Sequence, residues 1–180
     1  MDKSFFFGFT SRFQVSFYLF ALIAPFLFPP GPALPEPVLE EYDHYSKIVS
    51  VENNSCIDNP SIVNTIIRLG ERLGVTVRKG QPKLLNKDAT YEAFHGELGS
   101  IIISNRPMTK EVYCMLITHE FIHVLQHLHG NLEKVIPLGW ELNYKQIYSY
   151  STLQEAEAYT YQNSPIKIIY LLERYIQEDK

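Results

Sequence analysis

Hydrophobic residues follow two regimes along this chain. Before Val38 they cluster without polar alternation: nine of the eleven phenylalanines lie there, and the sixteen residues from Phe13 to Phe28 carry no charge. Lys3 and Arg12 precede that run and Glu36, Glu40 and Glu41 follow it, the layout of an export signal that sends the remainder out of the cytosol. The run is shorter than the roughly 20 residues that cross a bilayer core, yet extension back to Phe5 across Arg12 reaches that length. A cleaved signal and a retained membrane anchor therefore both fit, with a buried N-terminal helix as a third reading. Pro29 to Pro37 reads as an extended spacer, so residues 1–37 form one unit and residues 38–180 one globular domain.

Within that domain the pattern mixes helical and strand periods, which predicts an α+β fold. Asn59 as N-cap, Pro60 at the first helical position and Gly74 past the end bracket a helix with Ile62, Ile66, Leu69 and Leu73 on one stripe. Short strands are expected at Val75 to Val77 and Lys83 to Leu85. A stronger one is expected at Ser100 to Ser104, where three consecutive isoleucines suit a strand buried on both faces. Thr109 caps a long helix that runs to His129 and closes at Gly130. Ser151 and Gln154 make a capping box for a further helix ending near Asn163, and Ser164-Pro165 starts an amphipathic one.

Composition narrows the function classes. The chain has 180 residues, 46% hydrophobic and 20% charged, which excludes disordered and low-complexity readings. A formal charge of −4 leaves no basic excess for a phosphate backbone, so nucleic acid is excluded as a partner. Cys56 and Cys114 form either one bridge in an oxidising compartment or two separate thiols.

The chemistry sits on the long helix. His119-Glu120-Phe121-Ile122-His123 is an H-E-x-x-H sequence, and residues four apart share one helix face. Both imidazoles can bind one tetrahedral Zn²⁺, with Glu120 rotated roughly 100° beside the metal, where it can handle a proton. From the His and Glu content, chance produces such a motif in only about one or two chains of this kind per hundred. A third ligand has to come from elsewhere. His127 stands about 12 Å along the axis from His119, His129 lies farther, and both are expected at the rim or in solvent. Cys114 points into the core. A better donor lies on the next helix, in Leu153 to Tyr159, where alanines let two helices approach closely; its two glutamates, Glu155 and Glu157, point about 160° apart, so only one could face a metal.

H-E-x-x-H followed after 31 intervening residues by Glu155-Ala156-Glu157-Ala158-Tyr159 resembles the gluzincin branch of zinc metallopeptidases, over roughly Thr109 to Asn163. The resemblance implies a zincin-like fold, a small mixed sheet packed on the H-E-x-x-H helix and on a following glutamate-bearing helix. It implies His119, His123 and Glu155 as ligands of one zinc ion, with Glu157 the alternative third ligand, and Glu120 as general base. Tyr159 occupies the place where many relatives have an aspartate that orients a ligand. A strand edge pairing with an extended peptide is implied too; Gly99 to Ser104 fits that role or an internal strand. Tyr91, His95, Trp140 and Tyr161 are candidates to polarise the scissile carbonyl, or else pack. The activity expected is zinc-dependent hydrolysis of a peptide or protein by an exported or membrane-anchored enzyme. The alternatives are a non-catalytic zincin-like binding or assembly factor and a metal-free anchored interaction protein.

Overall fold

The apolar stripe after Pro60 folds in two steps. A 3₁₀ turn over Pro60–Ile62 leads into helix α1, Val63–Leu73. Asn59 does not cap it: its Oδ1 accepts from Ser61 Oγ at 2.7 Å instead, because the tight turn leaves the α-helical N–H groups out of reach. Gly74 ends the helix at φ 101°, a conformation that residues with a Cβ avoid. The computed structural model describes residues 55–84 and 86–178. The expected signal or anchor, the spacer and the start of the domain at residue 38 lie outside them.

The fold is α+β. Strands β1 (Thr76–Lys79), β2 (Ala89–Phe94) and β3 (Glu97–Ile103) form a sheet in the order β1-β3-β2, with β1 parallel and β2 antiparallel to β3. Ile101, Ile102 and Ile103 are all buried, as a strand covered on both faces requires. Lys83 and Leu84, expected in a strand, lie in a bend.

Helix α2, Lys110–His129, is capped by Thr109, whose Oγ1 accepts from Val112 N at 3.3 Å. Gly130 closes it at an ordinary φ of −84°. Glycine is needed there for a close approach: a Cβ would stand 1.9 Å from the Lys134 carbonyl oxygen. Short helix α3, Tyr144–Ser149, carries an Asn143/Gln146 capping box. Helix α4, Leu153–Tyr161, is capped by Thr152 and not by Ser151; Gln154, expected to complete the box, turns its amide to the Val135 carbonyl at 3.1 Å. Helix α5 spans Pro165–Glu178. Among the described residues no helix is long and apolar enough to cross a membrane.

α2 is the axis of the core. It packs against β2 and β3, α1, α4 and α5, and residues 117–122 and 124–127 are buried on every side of it. A polar side chain in such a helix is costly unless it is partnered. Thr118, His119, Glu120, Gln126 and His127 are the buried polar or charged residues here, joined by Glu157 of α4.

Cys56 and Cys114 form a disulfide across a sequence separation of 58 residues. It fastens the segment before α1 to α2, and Cys56 N also donates to Asn163 Oδ1 at 3.0 Å. Cross-linking a loop of that length restricts the unfolded chain, so a Cys56→Ala/Cys114→Ala double variant is expected to lose about 2–4 kcal/mol, read from urea unfolding.

Candidate metal centre

One turn of α2 stacks His119 over His123, with ring centroids 5.0 Å apart and the rings nearly perpendicular. Glu155 enters from the first turn of α4, where Thr152 Oγ1 holds its N–H at 3.2 Å. Its Oε1 lies 3.3 Å from His123 Nε2 and its Oε2 3.8 Å from His119 Nε2. One ligand atom from each of the three residues lies within 4.8 Å of the others, so the group could hold a metal ion. Glu155 Oε2 is buried without a hydrogen-bond partner. A buried carboxylate oxygen that accepts no hydrogen bond suits a cation, and two imidazoles with one carboxylate are a donor set of the kind that holds zinc.

Outer contacts hold these groups in place. His123 Nδ1 meets Gln126 Oε1 at 2.7 Å, while the Gln126 amide donates to Gln154 O at 3.1 Å and to Glu157 Oε2 at 2.8 Å. Gln162 lines the same cleft as His119. Glu120 is buried beside these three residues, its Oε2 accepting from Tyr91 N of β2 at 2.6 Å. Burial, then the charge of His123, pushes His119 down to about 3, so its imidazole is neutral and free to ligate. Burial would also lower His123, but its hydrogen bond to Glu155 and the charge of Glu120 outweigh that and raise it. The hydrogen bond from His123 holds Glu155 down at about 2 against its partial burial. Burial raises Glu120 above the ordinary carboxylate value.

Glu157, the alternative third ligand, faces the opposite side of α4. Its two oxygens accept from Gln126 Nε2, Leu138 N, Gly139 N and Trp140 N at 2.8 to 3.0 Å, tying down the loop between α2 and α3. His127 is not at a rim or in solvent: it is buried, its Nδ1 2.9 Å from the Tyr91 hydroxyl. That hydroxyl also accepts from Gly99 N at 3.1 Å, which removes Tyr91 as a carbonyl-polarising group. His95 sits in the turn between β2 and β3. Trp140 packs against Tyr161 at 4.7 Å, and the Tyr161 hydroxyl donates to Glu141 O at 2.9 Å.

Gly99 to Ser104 lies in the central strand and is the internal strand of the two readings. The edge over the helix is β2, which the hydrophobic pattern did not reveal. A cleft of about 420 Å³ runs between β2 and α4, lined by Thr90, Glu120, His123, Glu155, Tyr159 and Lys87 among others. Tyr159 makes no hydrogen bond to His119 or His123; its ring stands edge-on to His119 at 4.5 Å and stacks on Tyr150 at 4.6 Å. Gln126, Gln162 and Lys87 were not anticipated. Only Gln126 left a signal, since a residue three beyond His123 shares its helix face. No protein-family model, curated protein or solved structure matches the chain.

Proposed function

We propose that this protein is a zinc-dependent peptide hydrolase of zincin type. The observation that carries the reading is the convergence of His119, His123 and Glu155 beside a buried carboxylate, Glu120, in an open cleft. The position of β2 above the ligand-bearing helix supports a zincin-like fold. An extended substrate would add to the free edge of β2 by main-chain pairing, which holds a peptide without reading its side chains.

Zinc bound here would supply Lewis acidity, polarising the scissile carbonyl and bringing the pKa of a coordinated water to around 7. The chain's own part is proton handling. Glu120 takes a proton as water adds to the carbonyl carbon and delivers it to the leaving amine as the C–N bond breaks. The Tyr91 N–H fixes one oxygen of Glu120 and so aims the other. Export, or anchoring by residues 1–37, belongs to the same proposal, and the Cys56–Cys114 disulfide supports it, since such bonds persist outside the reducing cytosol.

Metal analysis tests the site. Wild type is expected to carry one zinc per chain. Glu155→Gln should lose affinity by more than the roughly 10- to 100-fold that removal of an outer hydrogen bond costs. Metal-free wild type, or Glu155→Gln with full affinity, would remove the reading.

A further inference from the structure

We propose that Lys87 is the charged donor that meets the oxygen of the scissile carbonyl; the inference rests on the zinc-hydrolase reading and deepens it. Tyr91 and Tyr161 spend their hydroxyls elsewhere, and neither His95 nor Trp140 lines the cleft. Lys87 does line it, and its position is built by the chain on both sides. Asn86 takes a left-handed φ of 63°, which asparagine tolerates and most residues avoid. Asp88 is clamped by the Arg106 guanidinium, and its carbonyl accepts from Ser104 N at 2.7 Å.

Between these anchors the Lys87 ammonium reaches the site. Nζ lies 3.2 Å from the Tyr159 hydroxyl and 3.8 Å from Glu155 Oε2. Tyr159 is itself wedged between Tyr150 and His119, so the hydroxyl that holds the ammonium is fixed. The Lys87 side chain stays 41% exposed, open to a substrate seated along β2. A preorganised cationic donor at the place where negative charge develops is the largest single aid to acyl transfer that a side chain can give.

The step needs no proton from the lysine. Water oxygen bonds to the carbonyl carbon, its proton passes to Glu120, and the carbonyl π pair moves onto oxygen, where the Lys87 N–H donates a hydrogen bond. The pair then re-forms the carbonyl, the C–N bond breaks, and the proton on Glu120 goes to the amine. Lys87 ends as it began.

Two calorimetric titrations test this without any substrate: zinc into the metal-free chain, and acetohydroxamate, a small zinc-binding acyl compound, into the zinc-loaded chain. Lys87→Met is expected to bind zinc at least as tightly as wild type, because an ammonium competing for Glu155 is gone. Its acetohydroxamate affinity should fall by about tenfold or more, and Lys87→Arg should recover most of that loss. Equal acetohydroxamate affinity in wild type and Lys87→Met, or no acetohydroxamate binding to zinc-loaded wild type, overturns the proposal. So does weaker zinc binding in Lys87→Met, which would make the lysine a support for the ligands. Failure of wild type to take up zinc at all overturns the metal site beneath it, a different and recognisable outcome.

Discussion

Glu120→Gln is expected to retain one zinc per chain while peptide hydrolysis falls about 10²- to 10⁴-fold, the range that a positioned general base contributes. The substitution keeps shape and size, and the amide oxygen can still accept from Tyr91 N, so β2 and α2 stay in register with each other. What is lost is the ability to take a proton. Zinc content by elemental analysis and hydrolysis of fluorescein-labelled casein check the two halves separately; full activity in the variant would dismiss Glu120 as the base. Stability supplies a further check. Burial raises Glu120 above its ordinary value, so ionising it costs the metal-free folded chain stability as pH climbs past 4.5. The glutamine variant has no such cost, and at pH 7 its metal-free form is expected to melt at or above the wild-type temperature.

The second large effect is on folding. Glu157→Gln should cost about 3–5 kcal/mol, because the new amide presents hydrogens to N–H groups that need an acceptor and leaves buried donors unpaired. Three of those donors are consecutive main-chain groups, Leu138, Gly139 and Trp140, and the fourth is Gln126. Urea unfolding measures the loss. A change below about 1 kcal/mol would mean that the loop finds other partners or water.

The glutamate pair also marks where the sequence stops being informative. Helix spacing says that Glu155 and Glu157 cannot both face His119 and His123, but not which one does. The deciding fact is a loop 17 to 19 residues upstream whose N–H groups converge on Glu157, and no local pattern encodes that convergence. α2 was legible in full, since Thr109 and Gly130 bracket it and H-E-x-x-H lies on one face. The isoleucine strand was legible for the same kind of reason. β2 was not, because Ala-Thr-Tyr-Glu-Ala-Phe has neither clean alternation nor an apolar run, and its place over the helix follows from antiparallel pairing with β3. His127 was misplaced because α2 is enclosed on every side, so a polar residue there can be interior if it finds a partner, as it does in Tyr91.

Gln126 has a consequence for the proton inventory of the centre. Both hydrogens of its amide are spoken for, one by the Gln154 carbonyl and one by Glu157, so only its oxygen is left to face the ring of His123. That oxygen can only accept, which obliges His123 to carry a hydrogen on Nδ1 and leaves Nε2, 3.3 Å from Glu155 Oε1, as the nitrogen a metal would take. The Nδ1 hydrogen that ligation through Nε2 would require is thus held by a glutamine whose own orientation is set by a backbone carbonyl and a core carboxylate on the neighbouring helix.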